Sequence, residues 1–247
     1  MIGWTFAFID RPAPAVARAT AFWSTVTGTH PSAPWGERGE FTTLEPEAAD
    51  ACLATQAVGG PSGAHMDFAV EDPSAFTTRA TTLGAAVVAG RPGLTVLRSP
   101  GGMPFCVVAW RGQRRRPPVF GGPGDGVARP DQVCVDVAPG AFDAEVGFWA
   151  ALTGWESCPG AGDGFHSLAP PAQLPVRLLV QRLDEDRPAS GHLDLACSDP
   201  AAVRAWHEER GASFVADEEH WIVMRDPAGG VYCLTGRAPE PDGPRSV

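Results

Sequence analysis

Two similar stretches of this sequence, HMDFAVEDPSAF at residues 65–76 and HLDLACSDPAAV at residues 192–203, lie 127 residues apart. The same offset recurs downstream without a gap, where Cys106 corresponds to Cys233. Upstream the offset is 126 residues, so one residue of slippage separates the two parts of the alignment. Self-similarity of this length predicts two copies of one unit of roughly 125 residues. A chain of 247 residues that is 44% hydrophobic is also long enough to bury two cores.

Each copy divides into two similar halves, and each half is predicted to contain one strand, one helix and several short strands. In the later halves, Asp72-Pro73 and Asp199-Pro200 place a capping carboxylate before a proline at the first helical position. The helices of the earlier halves are predicted over Ala15–Thr27 and Phe142–Thr153. All four helices are predicted to stop at glycine, which tolerates a left-handed C-terminal cap. These glycines are Gly28, Gly84, Gly154 and Gly211.

Short β-rich or alternating runs predict five strands in each copy. In the first copy they are Phe6–Ile9, Cys52–Val58, His65–Val70, Leu94–Arg98 and Phe105–Ala109. In the second copy they are Val133–Val137, Val176–Gln181, His192–Ala196, Trp221–Arg225 and Val231–Thr235. Between the copies, the Pro-, Gly- and Arg-rich composition predicts an exposed linker. The predicted organisation is a first domain over 1–112, a linker over 113–129, a second domain over 130–237 and a flexible tail over 238–247.

The charge balance argues against two classes of partner. All 19 basic residues are arginine and the formal net charge is −10, whereas nucleic acids and anionic membranes require clustered positive charge. No run approaches the roughly 20 apolar residues of a membrane span, and the N-terminal sequence MIGWTFAFIDRPAP lacks a signal-peptide pattern. We therefore expect a cytoplasmic protein, monomeric or homodimeric, whose partner is a small molecule.

The cysteines are predicted to be buried, reduced and inert. Four of the six lie within apolar strand-like runs, and neither CxxC nor a Cys/His spacing suited to zinc occurs. These four are Cys106, Cys134, Cys197 and Cys233.

Several motifs carry a family resemblance. An FW pair near the end of the first helix of each copy is followed by TG, and each copy closes on SPGGMPFCVV from Ser99 or DPAGGVYCLT from Asp226. Together with paired strand-helix-strands modules, these motifs resemble the vicinal oxygen chelate superfamily of glyoxalases, bleomycin-resistance proteins and dioxygenases. The chain is most similar to actinobacterial glyoxalase-like proteins. The resemblance implies an α+β fold of tandem domains, each of two paired βαβββ modules that form a half-open, curled β-sheet around a cavity.

Metal-using members of this superfamily place one ligand on each of four strands, and the resemblance allows those positions to be projected. Neither copy has a carboxylate on its final strand, where Cys106 and Cys233 stand. One histidine with two neutral amides is a poor donor set for a divalent ion. The projected positions are Phe6, Gln56, His65 and Cys106 in the first copy, and Gln132, Gln181, His192 and Cys233 in the second.

His192 and Asp194, like His65 and Asp67, are two residues apart on a strand, so both side chains face the same side. Such a pair is suited to acid-base catalysis. The favoured alternative is a framework role, in which the histidine orients the mouth of the strand or hydrogen-bonds to the backbone and the aspartate caps a neighbouring turn, because the pair occurs in both copies. The second cavity is predicted to be the more polar one, with three further residues near its rim. They are His166, His220 and Trp221.

The resemblance and the eroded ligand positions favour a metal-independent, cofactor-free protein that binds or processes an apolar or aromatic metabolite. The expected contacts are the projected positions other than the cysteines, together with the three rim residues. The alternative is a metal-dependent lyase, isomerase or dioxygenase with an atypical site of His192, Gln132, Gln181 and Cys233, or a metal-free catalyst that uses His192 and Asp194. A third possibility is a regulatory or structural module without a ligand.

Overall fold

The computed structural model describes residues 1–122, 126–160 and 162–239. Most of the predicted tail, and the centre of the GGPGDG segment, lie outside these residues. The described chain contains four α-helices and one short 3-10 helix, Pro139–Ala141. The α-helices are α1 (Val16–Thr27), α2 (Pro73–Thr82), α3 (Phe142–Thr153) and α4 (Pro200–Glu208).

The first domain is built on one eight-stranded sheet with the strand order β2-β3-β4-β1-β5-β8-β7-β6. The two modules, β1 to β4 and β5 to β8, join where β1 runs antiparallel to β5. Its strands are β1 (Ile2–Pro12), β2 (His30–Pro31), β3 (Phe41–Glu45), β4 (Leu53–Val58), β5 (Gly63–Val70), β6 (Ala86–Arg91), β7 (Leu94–Arg98) and β8 (Pro104–Ala109).

The second domain repeats this order as β11-β12-β13-β10-β14-β17-β16-β15, with β9 added beside β10. Both sheets are open, because their end strands do not pair with each other within the described chain. The fold is thus α+β, with two tandem domains as predicted. The second set of strands is β9 (Phe120–Gly121), β10 (Val127–Val137), β11 (Glu156–Pro159), β12 (Phe165–Ala169), β13 (Arg177–Arg182), β14 (Ser190–Cys197), β15 (Ser213–Asp217), β16 (Trp221–Arg225) and β17 (Val231–Thr235).

The predicted capping aspartates and two of the four predicted glycine stops are confirmed, whereas α2 and α4 have their C-caps at Leu83 and Glu209, before Gly84 and Gly211. Asp72 and Asp199 accept hydrogen bonds from the backbone N–H three residues further on, at 2.9 and 3.0 Å. Gly28 and Gly154 cap α1 and α3 with left-handed backbone, at φ of 58° and 67°. A side chain would be strained at either glycine.

The two domains pack through helices that each carry a tryptophan. Trp23 of α1 meets Tyr232 of the second domain edge-on, with ring centroids 5.0 Å apart. Trp149 of α3 stacks on Phe68 of the first domain at 6.0 Å. Each first helix therefore contributes an aromatic side chain to the packing between the domains.

A buried ion pair also crosses between the domains. Arg11 of β1 donates from Nε and Nη2 to the Asp226 carboxylate, at 2.9 and 2.6 Å, and Trp23 donates from Nε1 to the same oxygen at 2.9 Å. Arg11 is 2% exposed and Asp226 3%. Because burying an unpaired charge is costly, this contact fixes how the domains meet.

The segment predicted as an exposed linker is more ordered than its composition suggests. β10 already begins at Val127, and Arg129 is 4% exposed. The backbone N–H groups of Arg114 and Arg115 donate to Asp50 of the first domain at 2.6 and 2.7 Å. Hydrogen bonds to one aspartate thus hold a stretch rich in Pro and Arg against the first domain. Within the described residues, none of the helices is both long and apolar enough to cross a lipid bilayer.

Candidate functional site

A cavity of about 1020 Å³ lies on the free face of the second sheet. Alternation along the strands decides what faces it. On β10, Gln132 and Cys134 line the cavity, whereas Val133 and Val135 are fully buried on the other side. A volume of this size holds a metabolite-sized ligand.

Strand register arranges the cavity floor in rows. One row runs across four adjacent strands, because Gln132 is paired with Arg177 on one side and with Asp194 on the other, and Asp194 is paired with Cys233. The next row contains Cys134, opposite His192. The predicted site residues are therefore brought onto one surface.

His192 lies between two carboxylates. Its Nδ1 is 3.1 Å from Asp136 Oδ2 and its Nε2 is 3.2 Å from Asp194 Oδ1. Gln132 Nε2 donates to the other oxygen of Asp194 at 2.5 Å. His192 and Asp194 thus lie side by side on one face of β14, and Asp136 is a neighbour of His192 that sequence reasoning missed.

The surroundings of His192 favour its charged form. Burial lowers the pKa of the imidazole, while Cys134, Asp136 and Asp194 raise it; the raising effects win, and the pKa lies well above its ordinary value. Burial raises the pKa of the Cys134 thiol itself.

The donors around His192 include groups that bind divalent ions. One donor atom from each of His192, Asp194 and Cys233 lies within 4.8 Å of the others, and the same holds for Cys134, Asp136 and His192. With two carboxylates, the set is richer than the one histidine and two amides expected from the sequence, and it fits a first-row divalent ion. Binding would have to displace protons, because burial raises the pKa of the Cys233 thiol and both His192 nitrogens face carboxylates.

The first domain repeats the charged group and covers it. His65 Nδ1 is 2.7 Å from Asp10, and its Nε2 is 3.3 Å from Asp67. Phe8 stacks on the imidazole with ring centroids 5.1 Å apart, and Phe41 packs edge-on against Phe8 at 5.8 Å. Phe8 occupies the position that Cys134 has in the second copy, so the same histidine lies under aromatic rings here and beside a cavity there.

Most of the second-domain residues predicted as ligand contacts do line the cavity, and one does not. His166 Nε2 and Ser157 Oγ are joined by a hydrogen bond of 2.7 Å. The neighbours of His166 in the strand, Phe165 and Ser167, line the cavity. Alternation therefore places His166 on the other face of β12, and its expected position near the rim is corrected. Of the second-domain site residues named from the sequence, those that line the cavity are Gln132, Gln181, His192, Asp194, His220, Trp221 and Cys233.

The first-domain candidates belong to the covered group. Gln56 is opposite Asp10, and Phe6 opposite Asp67, in the strand register. Trp4 and Trp155, two further large aromatic residues, are buried in the core and do not line the cavity.

Sequence reasoning missed several charged residues of the second cavity. For Arg129, Asp131, Arg177 and Arg237 the first-copy counterparts are uncharged, so a search for shared residues passes over them. The available signal was an ionisable residue within an apolar strand, as in PVRLLV at residues 175–180. The missed charged residues that line the cavity are Arg116, Arg129, Asp131, Arg177, Asp217, Glu218, Glu219 and Arg237.

Two open sheets of paired βαβββ modules, with a histidine and carboxylates facing a cavity, define the vicinal oxygen chelate class. The sequence model of the glyoxalase-like domain matches residues 7–108 and again residues 132–235. The chain belongs to this glyoxalase-like family. No curated protein sequence matches it.

Solved structures share the fold at low sequence identity. One is a Mn(II)-bound glyoxalase from Novosphingobium aromaticivorans, which is 17% identical in sequence. The alignment covers 93% of this chain and 80% of the glyoxalase chain, with a TM-score of 0.64. Another is 2,2',3-trihydroxybiphenyl 1,2-dioxygenase from Sphingomonas wittichii, 13% identical, with coverages of 93% and 88% and a TM-score of 0.63. A catechol 2,3-dioxygenase is 12% identical, with coverages of 100% and 92% and a TM-score of 0.61. At these identities the likeness concerns the fold.

Proposed function

We propose that this protein binds a small apolar or aromatic metabolite in the cavity of the second domain, and that it does so without a metal ion. The observation that carries the proposal is the contrast between the two copies. Both hold a histidine between two aspartates, but Phe8 covers that histidine in the first copy, whereas His192 lines a cavity of about 1020 Å³ in the second. The first copy supports the fold, and the second binds.

The cavity walls suit a flat apolar ligand. Trp221 and Phe165 meet edge-on with ring centroids 5.4 Å apart, and both line the cavity. Aromatic walls bury ring systems with favourable geometry. In the floor, Asp136 and Asp194 hold the ring of His192 in place, so that this polar group lies beside the ligand.

The test uses the neutral fluorescent probe N-phenyl-1-naphthylamine with protein treated with a chelator. We expect about one probe per chain, and an affinity about tenfold weaker in Trp221→Ala, because a stacking side chain contributes about 1–1.5 kcal/mol. Trp35→Ala is the matched control, since Trp35 is 43% exposed in the first domain. Binding that disappears on chelation and returns with added Mn(II) would contradict metal independence.

A second candidate is metal-dependent chemistry, favoured by the donor spacing at His192, Asp194 and Cys233. A bound divalent ion would act there as a Lewis acid toward a ligand oxygen. Elemental analysis of protein purified without added metal, together with Mn(II) calorimetry, separates the two candidates. If the protein is metal-independent, it should contain less than one metal ion per chain. The heat of Mn(II) titration should then be the same for the wild-type protein and for Cys233→Ser. One ion per chain that depends on Cys233 would establish the second candidate instead.

A further inference from the structure

Arg177 is a buried cation in the cavity floor. It is 9% exposed, it begins β13, and it lies in the row that contains Gln132 and Asp194. Its Nη2 donates to Ser167 Oγ. Its Nε has no hydrogen-bond partner among the described residues, so the donor capacity of this guanidinium is only partly used.

The nearby carboxylates are engaged elsewhere. Both oxygens of Asp131 accept from Arg237, at 2.8 Å each. Asp194 accepts from Gln132 and contacts His192. Within the described chain, no carboxylate lies within ion-pair distance of Arg177. Burial and the nearby Arg237 lower the pKa of Arg177, as expected for a cation that lacks a direct counter-ion.

This cation is specific to the second copy. The strand register pairs Ala7 with Leu53, as it pairs Val133 with Leu178, so Cys52 occupies the position of Arg177 in the first domain. Cys52 is a buried, neutral thiol. The shared framework therefore folds without a charge at this position, and the arginine appears in the copy that has the cavity.

We infer that the cavity binds an aromatic or apolar carboxylic acid, whose carboxylate is held by the Arg177 guanidinium and whose ring lies toward Trp221. This inference rests on the proposed function and narrows its ligand. A planar guanidinium matches a carboxylate through two parallel hydrogen bonds. Arg177 and Asp194 lie on strands two apart, and a bicyclic acid can span that distance of about 10 Å.

The test compares 2-naphthoate with 2-naphthamide, which have nearly the same shape and differ in charge. We expect the wild-type protein to bind 2-naphthoate at least about tenfold more tightly than 2-naphthamide. A hydrogen bond to a charged group contributes enough binding free energy to account for a tenfold difference in affinity. Arg177→Gln should abolish this preference, so that the variant binds naphthoate and naphthamide with similar affinity. Retained naphthamide binding also shows that the variant is folded.

Arg98→Gln is the control, because Arg98 is exposed and donates to Gly102 in the first domain. It should keep the full preference for naphthoate. Equal affinities of the wild-type protein for the two compounds, or a preference that survives in Arg177→Gln, would overturn the inference while leaving the proposed function intact. If neither compound nor the neutral naphthylamine probe binds, the proposed function fails, and the inference with it.

Discussion

Phe8 lies flat against His65, with ring centroids 5.1 Å apart and an interplanar angle of 21°. The second domain has Cys134 at this position, opposite His192 in the same strand register. Cys134→Phe should therefore place a ring over His192 and abolish binding of N-phenyl-1-naphthylamine. Fluorescence titration measures the loss, and circular dichroism establishes that the fold is kept.

The reciprocal variant Phe8→Cys is the matched control. It removes a side chain that is 5% exposed, so the free energy of unfolding should fall by roughly 2–4 kcal/mol. Binding in the second domain should be unchanged, because Phe8 lies in the other sheet. Probe binding that persists in Cys134→Phe would show that the probe occupies a different place.

Local patterns in the sequence were sufficient for the helices, the central strands and the pairing of His192 with Asp194. Those features depend on caps and alternation within one segment. The contact of His192 with Asp136 depends on the register of β10 against β14, which no single segment encodes. The edge strand β6 was not predicted because its residues are largely exposed and show no alternation.

The repeat itself limited what the sequence could show about the site. Comparing the copies directed attention to shared residues such as His65 and His192, whereas the difference between Phe8 and Cys134 decides which copy has an open cavity. Arg177 was passed over for the same reason, since its counterpart is Cys52. In a duplicated chain, framework residues are shared and ligand contacts diverge.

The buried pair of Arg11 and Asp226 should dominate the stability of the domain interface. Asp226→Asn leaves the Arg11 cation, which is 2% exposed, without its counter-ion, and should lower the free energy of unfolding by about 3–5 kcal/mol. Urea denaturation measures the change. Glu208→Gln breaks the surface pair with Arg204 and should cost less than about 1 kcal/mol. Similar losses for the two variants would contradict this ranking.

His207 should make the fold sensitive to acid. Its ring is fully buried, its Nδ1 is 2.8 Å from the Tyr232 hydroxyl, and burial lowers its pKa to about 3. The unfolded chain binds a proton near pH 6.5 and the folded chain does not. Stability is therefore complete above pH 6.5 and falls as the pH drops toward 3, by about 2 kcal/mol at pH 5 from this group.

Denaturation of wild type and His207→Gln at pH 7 and pH 5 isolates this contribution, because the other titrating groups are common to both proteins. The wild-type protein should lose about 2 kcal/mol more than the variant over this interval. The raised pKa values of His65 and His192 act in the opposite sense, since their stabilisation is complete below pH 6.5 and is lost at higher pH. An equal acid response of the two proteins would show that His207 is not a neutral buried group.

Cys158 offers a way to follow cavity occupancy in the native protein. It is half-buried and lines the cavity, while the other five thiols are buried. Burial raises the pKa of Cys52, Cys106 and Cys197 to about 12, so these thiols hold little reactive thiolate at neutral pH. A disulfide reagent such as DTNB should modify one thiol rapidly in the native chain and all six after denaturation. Saturating 2-naphthoate should slow the rapid reaction, and Cys158→Ser should eliminate it. If two or more thiols react rapidly, or if saturating 2-naphthoate leaves the rate of the rapid reaction unchanged, then Cys158 does not report whether the cavity is occupied.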